Sequence, residues 1–165
     1  TTTRVMRIYF RMEMNYPRRV ASHASDESDA VALWEQLLRF QRTTAAEMDR
    51  NLQEAFGHSL DDYDVLHQVH AHNGPIRMGE LAEQLLVANS SCTRLVGKLV
   101  QSGHLTRKPG DIDRREVVIA LTPAGRKLRR RMAVLHTRDI ERLVGAGFDS
   151  DAARAIHASL ATSTK

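Results

Sequence analysis

The chain has 165 residues, 42% of them hydrophobic and 5% aromatic, which suits one soluble helical domain; no stretch approaches the ~18 apolar residues of a membrane span. Its single cysteine, Cys92, permits no internal disulfide and points to a reducing, cytoplasmic setting. The formal net charge of +4 is modest as a total, so its distribution along the chain is what carries information.

Residues 1–28 lack sustained periodicity. Val5, Ile8, Phe10 and Met12 are interrupted by Arg4, Arg7 and Arg11, which leaves no continuous apolar core for a secretory signal. The run from 21 to 29 is loop-like and offers a helix N-cap at Ser28 or Asp29. This stretch reads as a mobile or weakly docked tail. From 30 to 56, apolar residues return at helical spacing: Leu33, Leu37, Phe40, Ala45, Met48 and Leu52. Gly57 closes that helix. The next is capped by Ser59, carries Asp61 and Asp62 in its positive first turn, and stops at Gly74-Pro75. Its predicted buried face is Tyr63, Leu66, Val69 and His70.

Residues 78–85 form a short helix with Leu81, Ala82 and Leu85 inward. Residues 89–102 form the next, with Leu95, Val96, Leu99 and Val100 inward and Gly103 as its stop. Strands at 105–108 and 117–121 flank a Pro-Gly-Asp tip that leads into Asp113, Arg114 and Arg115. Thr122-Pro123 supplies a cap followed by proline at the first helical position. That helix runs through Leu128, Met132, Leu135 and Ile140 to about residue 144. Gly145 and Gly147 break it, and Asp149 or Ser150 caps a last helix anchored by Ile156 and Leu160. The fold class is therefore mainly α with a small β-hairpin wing: a winged helix-turn-helix core plus terminal helices.

Positive charge gathers on that core. Residues 21–87 hold 4 basic and 12 acidic side chains, whereas residues 88–131 hold 11 basic and 3 acidic, a local balance of +8. Residues 1–20 add +4, but read as tail rather than as a DNA-contacting arm. Arg126, Lys127, Arg129, Arg130 and Arg131 fit a solvated helical face as well as they fit a polyanion. Arg94 and Arg115 do not fit that plain reading. The early positions of the 89–102 helix are Asn89, Ser90, Ser91, Thr93 and Arg94, small polar groups and a cation suited to base edges or phosphates. Lys98, one turn later, suits a phosphate, and Arg107 stands on the first wing strand. A helix for the major groove beside an arginine-bearing loop for the minor groove points to duplex DNA.

In order and register, "LDDYDVL", "GPIRMGELAEQL", "SSCTRLVGKLVQSGHLTRKP" and "DIDRREVVIALTPAGR" resemble the winged core of the multiple-antibiotic-resistance regulator (MarR) family. The resemblance implies a 1–28 tail followed by a 29–165 domain, with dimerisation helices at 29–57 and 123–162 around a DNA-binding core at 59–122. It implies a homodimeric repressor of its own or a neighbouring operon, bound to a pseudo-palindromic operator with half-sites about one helical turn apart. The apolar stripes on the terminal helices, more than a small core covers, agree with a partner copy. By resemblance, Arg115 enters the minor groove and Asp113 steadies the wing through Arg94. Ala88 departs from the capping residue common there, so the sequence sets the helix start and the first contact residue only to within a position or so.

The resemblance also implies a small inducer, an aromatic acid, bound near Trp34, Tyr63, Asp64 and Arg94, although Trp34 falls out of the family's register. Packing is the simpler role for Trp34 and Tyr63. His67, His70 and His72 lack a completing Glu or Cys, so no metal is expected. Cys92 lies in a helix first turn, where a lowered thiol pKa would permit redox sensing, but an inert thiol is the expectation. A winged-helix interaction module without DNA binding is the competing class, and a redox- or metal-responsive regulator a variant. No phosphate loop, metal framework or activated nucleophile marks an enzyme, and no cofactor is implied.

Overall fold

The structure, a computed structural model, describes residues 24–110, 116–145, 148 and 150–163. Helix α1 (Ala24–Phe56) crosses the boundary between two compact units, Thr1–Arg42 and Thr43–Lys165. It is already helical at Ala24, so Ser28 and Asp29 lie inside it rather than capping it. Ser and Asp compete with the backbone and make the segment look like a loop. The rest of the predicted tail lies outside the described residues. Within the first unit Val31, Leu33 and Trp34 are exposed.

In the second unit Met48 and Leu52 of α1 are buried, and the helix ends on Gly57 at φ +69, whose N–H donates to the Gln53 carbonyl at 2.8 Å. A left-handed residue there suits glycine. Helix α2 (Leu60–Ala71) starts on a reciprocal capping box between Ser59 and Asp62. Asp49 of α1 adds a further acceptor for the Leu60 N–H at 2.8 Å. The buried face of α2 is Asp62, Tyr63, Val65, Leu66 and Val69. His70 is exposed instead, and the left-handed residue after the helix is Asn73, not Gly74. Asparagine tolerates that geometry because its short polar side chain bonds locally.

A strand absent from the sequence reading follows: β1 (Ile76–Arg77) pairs antiparallel with the strand at 117–121, placing fully buried Ile76 opposite Ile119. Helices α3 (Met78–Gln84) and α4 (Asn89–Gln101) then make the helix-turn-helix, with Leu81, Ala82, Cys92, Leu95, Val96 and Leu99 in the core. Strands β2 (Leu105–Pro109) and β3 (Val117–Leu121) complete a sheet of order β1-β3-β2. β2 is thus an edge strand, where Pro109 costs no ladder bond.

Helix α5 (Pro123–Leu143) opens on Thr122, whose hydroxyl accepts from the Gly125 N–H at 2.9 Å. A Cβ on Gly125 would overlap the His104 carbonyl, so glycine is what lets α5 pass this close to the start of β2. Farther along, Asn51 donates to Asp139 Oδ2 at 2.8 Å, while Arg142 donates to Asp139 Oδ1 at 3.2 Å and to Glu47 at 2.7 Å. This clamp ties the second half of α1 to α5. Ile140 on α5 is partly exposed, as is Ile156 on the last helix, α6 (Ser150–Ser163). Among the described residues no helix is long and apolar enough to cross a membrane.

Candidate nucleic-acid interface

Helix α4 divides cleanly. Cys92, Leu95, Val96 and Leu99 face the core, while Asn89, Ser90, Thr93, Arg94, Gly97, Lys98 and Gln101 are exposed. The exposed set recurs at i, i+4, i+5 and i+8, a single polar stripe. Burying an apolar side chain is worth roughly 1.5–3 kcal/mol, so the inward face holds the helix down and leaves the outer face unconstrained. Ser91 is half-buried at the stripe's edge. The N-cap Ala88 makes no side-chain capping bond, which leaves the positive end of α4 without an internal anion.

Lys98 is not free. Its ammonium bonds to Asp62 Oδ2 on α2, and Asp62 is fully buried. Burial works against an ionised Asp62, but donation from Lys98, the Ser59 N–H and His58 outweighs it and holds the carboxyl below its ordinary value. Arg94 is exposed, and its charge is felt by Asp61. Burial, Asp49 and Asp62 push that carboxyl up, and Arg94 works the other way.

On the wing, Arg107 and Lys108 of β2 are exposed opposite Ile119 and Val118. The Gly110 N–H donates to the Glu116 carbonyl at 2.9 Å, closing the hairpin at its base. Glu116 also meets Arg77 at 3.4 Å, joining that base to β1. Asp113, Arg114 and Arg115 lie outside the described residues. Part of the basic run on α5 is engaged internally. Arg126 donates to the Leu121 carbonyl at 2.8 Å, and Arg131 stands over the Phe56 ring at 5.2 Å.

The residues expected around a ligand differ in setting. Trp34, in the first unit, is 60% exposed. Tyr63 is buried, its ring 4.5 Å from His136 and 5.7 Å from His67. Arg129 Nη2 lies 3.4 Å from His67 Nδ1. Burial, then neighbouring positive groups, keeps His67 below its ordinary value, and His136 likewise. Asp64 is half-buried and pushed up to about 6, chiefly by burial and then by Asp61. Sequence reasoning missed this Tyr63, His67, Arg129 and His136 cluster, although i,i+4 spacing on α2 and i,i+7 spacing on α5 carry a signal for it. An open groove of about 440 Å³ runs along α5 past Ala133, Val134 and Thr137, and its lining includes none of the four expected ligand residues.

The three α2-end histidines part company: His67 meets Arg129, His70 is exposed, and His72 lies 3.5 Å from Glu80. Among the described residues no group of three or more His, Cys, Asp or Glu is placed to hold a metal ion. Burial pushes the Cys92 thiol up, correcting the lowered value that a helix first turn suggested; Sγ sits 3.7 Å from Met78 Sδ.

Residues 56–116 match the sequence model of the MarR family. The fold is shared with Sco3205, a MarR family transcriptional regulator from Streptomyces coelicolor solved in complex with DNA, at 20% identity and TM-score 0.77, covering 92% of this chain and 91% of that one. AbsC, another such regulator from the same organism, aligns at 20% identity and TM-score 0.74, over 87% and 93% of the two chains. BpsR from Bordetella bronchiseptica, described through regulation of its DNA binding by 6-hydroxynicotinic acid, aligns at 17% identity and TM-score 0.72, over 91% and 99%. A comparison with curated proteins gives no match.

Proposed function

We propose that the chain is a MarR family transcriptional regulator, a reading supported by the family match over residues 56–116, and that it acts as a homodimeric, ligand-relieved repressor on a pseudo-palindromic operator. The observation that carries the reading is the exposed stripe of α4, where Asn89, Ser90, Thr93 and Arg94 stand together at a helix start with no side-chain cap. Small hydroxyls there reach phosphates or base edges, and Arg94 reaches guanine or phosphate. Arg107 supports the wing's approach to the backbone, and Arg115 is assigned to a narrow minor groove, where its planar cation meets concentrated negative potential.

A second copy is supported by exposed apolar surface: Val134 and Ile140 on α5, Ile156 on α6, and, in the first unit, Val31, Leu33 and Trp34. The inducer is assigned to a small aromatic acid near Tyr63, Asp64 and Arg94, in keeping with the heteroaromatic acid that regulates BpsR. The test is binding to the duplex upstream of the chain's own coding sequence, with sedimentation to give the assembly. A dimer is expected, with affinity falling steeply as salt rises. Arg94→Ala and Arg115→Ala should each weaken operator binding by roughly 1–3 kcal/mol. A monomer indifferent to duplex DNA at low ionic strength would sink the proposal. Stabilisation by phenolic or hydroxynicotinic acids in a thermal-shift screen tests the inducer separately.

A further inference from the structure

Lys98 stands on the exposed stripe of α4, one turn beyond Arg94, yet its ammonium is bonded to Asp62 Oδ2. The same buried oxygen accepts from the Ser59 N–H at 3.0 Å and meets His58 Nδ1 at 3.3 Å. The other oxygen, Oδ1, is buried without a hydrogen-bond partner. So is Nδ1 of His104, whose ring stands 5.0 Å from that of His58. One cluster thus joins the first turn of α2, the middle of α4 and the residue leading into β2. Lys98 is its half-exposed member, on a flexible four-carbon stem.

We propose that Asp62 is a positioning residue for DNA binding: it holds Lys98 back from the phosphate backbone, and a proton taken up by the His58–His104 pair supplants Lys98 and releases it to a phosphate. This rests on the DNA-binding reading above. With the rings uncharged, Lys98 is the cation bonded to Asp62. A proton on His58 places a second cation against the same oxygen. One carboxylate holds two mutually repelling cations less firmly than one, and the side chain with the exposed stem is the one that leaves.

The carboxylate itself stays ionised through the range in which imidazoles charge, since its donors hold it below its ordinary value. Burial and His58 oppose a proton on His104, while Asp62 favours it. Asp61, next to Asp62 on α2, feels the charges of Asp49, Asp62 and Arg94. Of these Arg94 lies on the same exposed stripe as Lys98.

The test is the salt dependence of binding to a mixed-sequence DNA duplex, read by fluorescence anisotropy at about pH 8 and about pH 5.5. Each phosphate neutralised adds roughly 0.9 to the slope of log affinity against log salt. Wild type should gain about that much on acidification, beyond the gain of His58→Gln/His104→Gln, in which the remaining histidines still charge. Asp62→Asn should show the steeper slope at both pH values, and Lys98→Gln the shallower slope at both. A wild-type gain no larger than that of the double histidine variant overturns the proposal, as does a full gain in Lys98→Gln. Asp62 also closes the α2 capping box, so if Asp62→Asn fails to fold, the slopes of the other two variants still uphold or overturn the proposal. A wild-type chain that binds no duplex at either pH overturns the DNA-binding reading itself, which is a separate failure.

Discussion

Asp62 and Asp139 are the buried carboxylates among the described residues, and their neighbourhoods are completed to different degrees. At Asp139 both oxygens are bonded, one to Asn51 and one to Arg142, and every partner belongs to α1 or α5. At Asp62 three groups converge on one oxygen and the other has none, and one of those groups, Lys98, is half-exposed. Beside His58 lies the unpartnered His104 Nδ1, and at the start of α4 the cap is missing and Leu86 is left-handed. The third unpartnered buried side-chain atom among the described residues, Arg129 Nε, sits instead with the Tyr63 and His67 rings. The Asp139 carboxylate is saturated, whereas the Asp62 carboxylate beside α4 leaves one oxygen without a partner.

The largest expected effect falls on the saturated side. Asp139→Ala strips Asn51 and Arg142 of a charged acceptor and should cost about 2–3 kcal/mol in denaturant unfolding. Duplex affinity per folded molecule should not change, because none of the exposed α4 side chains touches this clamp. A loss below about 0.5 kcal/mol would mean that the clamp adds little to stability.

Asp64 sharpens the contrast from the same helix as Asp62. Asp62 has a lowered folded value, so its contribution to stability is present above its unfolded value and is lost as pH falls through the folded one. Asp64 has the opposite sign. Its folded value of about 6 lies above the ordinary 3.8, so its ionisation opposes folding, growing as pH rises from about 4 to 6 and constant beyond. Asp64→Asn should therefore stabilise the chain by about 1–2 kcal/mol near neutral pH, and the gain should fade on acidification toward pH 4. A gain independent of pH would mean that shape, not charge, is responsible. Should the residue serve an inducer, the same substitution would weaken that ligand's thermal shift.

Much of the fold is legible in the chain. Ser59, Gly57, Gly103 and the Thr122-Pro123 step mark element ends by local chemistry that acts within a few residues, and the 3.6-residue recurrence of Leu95, Val96 and Leu99 marks the inward face of α4. Features that rest on distant partners are not legible. β1 is two residues long, too short for any period to register, and exists because Ile119 pairs with Ile76. Lys98 looks like a free phosphate contact in the sequence because its acid lies 36 positions away. His70 looks inward by spacing, but α2 spends that face on Asp62 and Val65 instead.

The smallest prediction tests whether the strain near α4 is real. Leu86 sits in the turn before α4 at φ +53, with its N–H donating to the Glu83 carbonyl at 3.1 Å and its side chain 85% exposed. A left-handed L-residue costs roughly 1–2 kcal/mol, and so exposed a side chain offers little packing to offset it. Glycine removes the clash but returns about 0.5–1 kcal/mol through the freedom of the unfolded chain. Leu86→Gly should then raise stability by about 0.5–1 kcal/mol, a shift of a few degrees in Tm at most. Gly57, at φ +69 after α1, supplies the inverse control, since Gly57→Ala places a Cβ in the same geometry and should lower Tm. If Leu86→Gly instead destabilised the chain while Gly57→Ala behaved as stated, the Leu86 side chain would have to be buried in the assembled protein. The contrast between a saturated Asp139 carboxylate and a strained α4 approach would then lose one of its supports.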